Sequence, residues 1–342
     1  MPKNSIKILF LSTLISGVLI SLCANSWMGA WMGLEINLLS FIPLLSSNLN
    51  MFSTEASLKY FLVQAIASST LLFLILLKIN MYEMFSFTKL SPWNNFIMIP
   101  LLMKVACAPF HWWLPSVVEG ISWINCFFIL SIQKIAPLML ISYLLTNNYF
   151  IQFMIISSSL IGAMGGLNQT SIRKILSFSS INHVGWMLTT MILGPNYWWM
   201  YLTIYSMNII SIISMVMSTN SSFIPQTFNS LNNKKIIKFV LFTSILSLGG
   251  LPPFLGFFPK WITIQLMIQN LMILTSMILI MSSLLTLYYY LRIIYSTLTI
   301  TNSEIIWFTS NSNKLDNPKL MMISIIILSL GVLICTLIMF MY

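Results

Sequence analysis

Leu248-Gly-Gly-Leu-Pro-Pro-Phe-Leu-Gly-Phe-Phe-Pro-Lys-Trp261 is the stretch whose reading decides the fold. Apolar runs flank it on both sides, Ile236–Ser247 before and Ile262–Ile280 after. Without Gly249, Gly250, Pro252, Pro253, Gly256 and Pro259 the whole segment would read as one long membrane helix. Proline removes a backbone donor and clashes with the preceding turn, so a helix has to break here. At membrane depth, broken backbone survives only where protein or a wet cavity surrounds it. Lys260 stands at that break. Interrupted helices carrying an ionisable group near mid-membrane are a device of ion-moving transporters. A kinked structural helix whose lysine snorkels to the interface is the competing reading of this stretch.

The remainder of the chain is equally apolar. Of 342 residues, 58% are hydrophobic and 6% charged, against about 25% charged in ordinary soluble chains. The mean hydropathy is +0.91. Apolar runs long enough to span a bilayer recur from end to end, so one helical membrane domain is expected over residues 1–342. The N-terminal run, Ile8–Leu22 behind Lys3 and Lys7, is followed at once by another span and reads as a retained helix, not a cleaved signal. The formal net charge is +10, but the basic residues are too scattered to make a nucleic-acid surface. Cys23, Cys107, Cys126 and Cys335 are isolated from one another, and no C-x-x-C pair or Cys/His cluster occurs. Metal, Fe–S and disulfide readings are therefore poor, and small buried hydrophobes are the expectation.

Proline, glycine and charge punctuate about eleven spans: 5–23, 26–45, 56–77, 93–110, 121–145, 149–171, 175–193, 197–218, 236–270 (broken), 271–298 and 320–341. With that count, Lys3, Lys7, Lys59, Arg173, Lys174, Lys234, Lys235, Lys238, Arg292, Lys314 and Lys319 collect on the side of the N-terminus. Only Lys78 and Lys89 fall on the other. Such asymmetry over short loops marks the cytoplasmic or matrix side, and it places Tyr342 opposite.

Lys104, Lys134 and Lys260 remain, each well inside a span, together with Glu35 and His183. A charge at mid-bilayer costs at least about 2.5–3.5 kcal/mol, so such residues must pair, hydrate or change protonation. Burial makes an ammonium easier to deprotonate, whereas a nearby carboxylate holds it charged. A glutamate moving toward or away from a buried lysine would therefore switch that lysine between holding and releasing a proton. Lys104 precedes Pro109, read as the end of its helix, and His111 follows. His183 shares a helix face with Ser179 and Ser180, a polar stripe that points to a wet interior. No nucleotide-binding glycine motif is present.

Six motifs occur in order: Gly33-Leu-Glu-Ile-Asn37, Lys104-x-x-x-Ala-Pro-Phe-His-x-Trp-x-Pro115, Gln133-Lys-Ile-Ala-Pro137, Gly165-Gly-Leu-Asn-Gln-Thr-x-x-Arg-Lys174, Ser179-Ser-Ile-Asn-His-x-Gly-Trp186 and Gly249-Gly-Leu-Pro-Pro-x-x-Gly-Phe-x-Pro-Lys-Trp261. As a set they resemble the subunit 2 family of NADH dehydrogenase, mitochondrially encoded, antiporter-like membrane subunits of respiratory complex I. The wealth of Asn, Ile and Met fits an AT-rich, insect-like mitochondrial genome. The resemblance implies proton translocation and two inverted five-helix repeats with broken helices, 5–145 and 149–298, followed by a terminal helix at 320–341. It implies a modulating ion pair between Glu35 and Lys104, with Lys134, His183 and Lys260 on a hydrated axis. It implies no cofactor in this subunit, NADH, FMN, Fe–S clusters and ubiquinone being used by others. The implied partners are other membrane-arm subunits, neighbouring antiporter-like subunits among them, and a bilayer containing cardiolipin. The implied place is the mitochondrial inner membrane, with the N-terminus in the matrix and the C-terminus in the intermembrane space. A stand-alone cation/proton antiporter and a structural scaffold are the alternatives. The first should hold several buried carboxylates, whereas only Glu35 lies within a span.

Overall fold

The computed structural model describes residues 2–46, 50–84, 91–219, 221–231, 235–299, 322 and 324–331. The helices run in the order α1 (Pro2–Cys23), α2 (Trp27–Leu45), α3 (Met51–Met84), α4 (Ser91–Val105), α5 (Trp113–Gly120), α6 (Trp123–Leu130) and α7 (Ile132–Ser142). They continue as α8 (Tyr149–Gly165), α9 (Ile172–Leu193), α10 (Pro195–Thr219), α11 (Ile224–Leu231), α12 (Lys235–Gly249), α13 (Phe257–Gln269) and α14 (Ile273–Thr299). Apart from a β-bridge between Ser171 and Phe223, the regular structure among the described residues is helical. Lipid offers no hydrogen bonds, so a chain this apolar has to satisfy its backbone within each helix.

Seven described helical segments are long and apolar enough to cross a membrane: Ser5–Cys23, Trp27–Leu45, Met51–Asn80, Trp123–Ser142, Tyr149–Gly166, Pro195–Thr219 and Ile273–Tyr295. The other spans read from the sequence fall short for physical reasons. The span at 93–110 is cut by a turn after α4, and that at 236–270 is cut between α12 and α13. Helix α9 is long enough, but Arg173, Lys174, His183 and its serines dilute its hydropathy. The last span, 320–341, lies for the most part outside the described residues, as do Lys89, Lys234, Lys314, Lys319 and the loop 301–318.

The chain divides into two compact units, residues 1–158 and 159–342, the boundary falling inside α8. In the first, α1 and α2 form a close antiparallel hairpin, α3 packs on α2, α4 and α5, and α7 packs on α4. In the second, α10 packs on α9, α12 and α13, and α14 packs on α9, α12 and α13. The cores are apolar but threaded by small hydroxyl residues. Trp31 Nε1 donates to the Ser68 carbonyl at 3.1 Å, tying α2 to α3. Asn125 Nδ2 donates to the Leu44 carbonyl at 2.7 Å, satisfying the end of α2 from α6.

The α1–α2 crossing depends on Gly17 and Gly33. A β-carbon on Gly33 would lie 2.6 Å from the Ser21 nitrogen and 2.9 Å from the Gly17 carbonyl oxygen, backbone atoms that cannot turn aside. Small residues at such crossings let membrane helices approach closely, where packing replaces the hydrophobic effect. Gly33→Ala is accordingly expected to destabilise the hairpin by about 1–3 kcal/mol, the usual cost of overpacking. Thermal denaturation of the assembled protein checks this, and an unchanged melting temperature would contradict it.

Candidate functional site

A helix that stops inside a membrane leaves its last carbonyls without donors. Helix α4 solves this by curling its end. Ala106 takes a left-handed conformation, φ 63°. Its N–H then donates to the Met103 carbonyl at 3.2 Å, and that of Cys107 donates to Leu102 at 3.0 Å. This is the Schellman pattern, built here on alanine where glycine is usual. The helix thus ends ahead of Pro109, which lies in the following turn instead of terminating the helix. Lys104 is in the last turn of α4, 8% exposed, where the helix dipole favours a cation. Its own carbonyl accepts from Gln64 Nε2 on α3 at 3.4 Å.

The second break repeats the device. Gly250, φ 79°, closes α12, its N–H donating to Ser247 and Leu246 carbonyls at 3.1 Å. Pro252 and Pro253 occupy the turn between α12 and α13. Pro259 is inside the first turn of α13 and not in the break, a position where its missing N–H costs nothing. One turn in, Lys260 reaches back and donates from Nζ to the Gly249 carbonyl at 2.8 Å. The lysine thus places its positive head on the negative end of α12. Gly250 is required twice over. Its φ is one that side chains resist, and a β-carbon there would lie 3.0 Å from the Lys260 Nζ.

Lys134 lies just past a third interruption, Ser131, which ends α6 and begins α7 with φ −118° and ψ −73°. It is 2% exposed. Pro137, inside α7, has no N–H to give the Gln133 carbonyl. Lys104 and Lys134 both line one cavity of about 20 Å³, shared with Asn37, Tyr60, Gln64, Gln133 and Pro137. That volume holds about one water molecule, given polar partners. Gln133 spans the polar side: its Nε2 donates to Asn37 Oδ1 at 3.0 Å, and its Oε1 accepts from the Tyr60 hydroxyl at 3.5 Å. Glu35 is half-buried, within electrostatic reach of Lys104, though not in direct ion-pair contact with it. The thiol of Cys107 is within electrostatic reach of Lys134.

In residues 159–342, His183 is buried on α9 and its Nδ1 is 2.8 Å from the Tyr201 hydroxyl of α10. Its ring also packs on Tyr205, one turn further along, with centroids 4.9 Å apart. Ser179 and Ser180 lie one turn before it on the same helix. Their hydroxyls donate to the Leu176 and Ser177 carbonyls at 2.9 and 2.7 Å, the local bond that serines make in apolar helices. The first unit therefore brings together Glu35, Lys104 and Lys134, and the second holds His183 and Lys260. Sequence reasoning missed Asn37, Tyr60, Gln64, Gln133 and Tyr201. The amides could have been noticed, since an Asn or Gln mid-span is expensive unless paired. Among the described residues, no three of His, Cys, Asp and Glu gather as a metal site would require.

Residues 24–286 match the family model described as NADH:quinone oxidoreductase/Mrp antiporter, transmembrane. The chain is 45% identical to NADH-ubiquinone oxidoreductase chain 2 of Locusta migratoria, covering 98% of this chain and 97% of that one. It is 48% identical to the chain of the same name from Anopheles gambiae, covering 91% and 92%. In fold it is similar to a chain of respiratory complex I from Thermus thermophilus, with TM-score 0.80 and 18% identity over 96% of this chain and 78% of that one. It is also similar to a chain of the Mrp complex from Dietzia, with TM-score 0.72 and 19% identity over 84% of this chain and 59% of that one. Both are structures of complexes.

Gln133→Leu would leave Asn37 and the Tyr60 hydroxyl facing an apolar group. A loss of about 1–3 kcal/mol of stability is expected for the stranded polar atoms. A denaturation midpoint equal to that of the parent protein would show that the Asn37–Gln133–Tyr60 chain does not hold the cavity together.

Proposed function

The chain belongs to the NADH:quinone oxidoreductase/Mrp antiporter membrane family, and from that membership we propose how its buried charges serve a proton-translocating subunit of respiratory complex I. The near full-length kinship with insect NADH-ubiquinone oxidoreductase chains supports that assignment over a stand-alone cation/proton antiporter. One observation carries the mechanism. Each unit holds a buried lysine at a helix break closed by a left-handed residue, Lys104 beside Ala106 and Lys260 beside Gly250. Lys260 so placed has a partner in both protonation states, because the amine and the ammonium can each donate to the Gly249 carbonyl. Protons enter and leave these lysines through Lys134 and the small cavity in the first unit, and through His183 in the second. Glu35 biases Lys104: approach of the carboxylate favours the ammonium, and withdrawal favours release.

In this reading the chain crosses the mitochondrial inner membrane eleven times, with its N-terminus in the matrix and its C-terminus in the intermembrane space. Residues 5–145 and 149–298 are repeats of one five-span plan, inverted by the odd offset between them. The like order of neighbours supports this: α3 beside α4 and α5 in one unit, α10 beside α12 and α13 in the other. NADH, FMN, the Fe–S clusters and ubiquinone belong to other subunits, and this chain takes its driving force from them. Its partners are the neighbouring membrane-arm subunits, and its lipid includes cardiolipin.

Lys260→Ala is expected to leave assembly intact while lowering proton-coupled turnover by about an order of magnitude, equivalent to about 1.4 kcal/mol on the barrier. Wild-type rate and proton-to-electron stoichiometry in an assembled Lys260→Ala complex would defeat the reading. Glu35→Gln is expected to displace the pH–activity profile of the complex, because it deletes the charge that biases Lys104. A profile superimposable on wild type would count against the pairing.

A further inference from the structure

Tyr290 is a buried hydroxyl that the route above leaves unused. It lies on α14, 2% exposed, where that helix packs against both α9 and α12. One edge of its ring runs along Gly249, where a β-carbon would stand 3.4 Å from Tyr290 Cδ2. The Gly249 carbonyl is the one that accepts a hydrogen bond from Lys260 Nζ, at 2.8 Å. On its other side the Tyr290 hydroxyl is close to Ser179, one helical turn before His183. It is also within electrostatic reach of Tyr201, the hydroxyl 2.8 Å from His183 Nδ1. Tyr290 therefore touches the surroundings of both ionisable groups of this unit. Strict hydrogen-bond geometry gives its hydroxyl no protein partner, although the Ser179 and Tyr289 hydroxyls are its near polar neighbours. An unsatisfied buried hydroxyl is costly, and native structures keep one where it has work to do or where water reaches it.

We propose that Tyr290 is a proton-relay residue joining Lys260 to the His183–Tyr201 pair. The inference rests on the reading of these residues as a proton route. A phenol can donate and accept at once. As its oxygen takes a proton from the Lys260 side, its own proton passes toward Tyr201 and His183, so Tyr290 ends neutral with its atoms unchanged. Gaps too long for a direct bond are bridged by single water molecules, which cost little affinity and conduct well. The Ser179 hydroxyl beside it already donates to the Leu176 carbonyl at 2.9 Å. Packing alone would need the ring, which lies against Tyr289 with centroids 4.6 Å apart, but not the hydroxyl.

The test compares Tyr290→Phe with Lys260→Ala and wild type in the intact complex, reconstituted in phospholipid vesicles. NADH-driven proton uptake and quinone reduction are measured in H2O and in D2O, with assembly checked by native electrophoresis. Tyr290→Phe keeps the ring on Gly249 and deletes only the hydroxyl. The proposal predicts normal assembly, turnover lowered several-fold and a solvent isotope effect larger than wild type, since proton transfer becomes the slow step. Wild-type turnover in Tyr290→Phe beside an impaired Lys260→Ala would overturn the relay and leave the route standing. Lowered turnover with an unchanged isotope effect would also overturn it, as that is the signature of a packing defect. Wild-type behaviour in both variants would defeat the proton route itself.

Discussion

A helix cut short within a membrane must find donors for its last carbonyls where no bulk water can supply them. The rest of this structure depends on how that is done. Both breaks curl the final turn through a left-handed residue, so that two of the orphan carbonyls are taken by the chain itself. Neither motif serves all of the orphaned carbonyls, and a lysine sits at each end. At α12 the lysine supplies the missing donor directly, through Lys260 and the Gly249 carbonyl. At α4 the lysine belongs to the last turn, and Gln64 supplies a donor to its carbonyl from across the interface. The negative end of each broken helix thus offsets part of the cost of holding an ammonium away from water.

A charge so held is stable without being locked. Lys104 has a half-buried carboxylate within electrostatic reach but no ion pair with it. A tight buried pair would fix both charges, because separating it leaves two unpaired ions in a poor dielectric. In the proposed mechanism, the looser arrangement around a water-sized cavity is what would let the proton leave. The amides of Asn37 and Gln133 bind each other at 3.0 Å, which gives the cavity a polar wall that is itself satisfied. The small volume matters too. A wide aqueous channel would screen the lysines and remove the coupling between their charges.

Much of this was legible in the sequence because membrane composition makes exceptions conspicuous. Lys104, Lys134 and Lys260 stand out in apolar runs, and Pro252 and Pro253 with Gly250 announce the break between α12 and α13. The end of α4 was less legible. Pro109 drew attention, yet the chain turns at Ala106, a residue without any glycine-like signature. Pro259 was similarly ambiguous, since proline both ends helices and begins them. The Ser179–Ser180 stripe is a weaker signal than the lysines, because short hydroxyls in a span can bond their own backbone. The pairing of Gln133 with Asn37, and of His183 with Tyr201, joins residues far apart in the chain, and no local pattern encodes it. Tyrosines are common in apolar helices, so nothing local marks Tyr201 and Tyr205 as neighbours of His183.

The proposed mechanism requires that the buried groups of each unit be joined by a polar path along which protons step. A structure of the intact complex in a lipid environment, at a resolution that reveals ordered water, tests this most directly. The account predicts water in the cavity between Lys104 and Lys134, and hydrogen-bonded continuity from Lys260 to His183. Dry packing around the lysines, with apolar side chains separating one titratable group from the next, would contradict it.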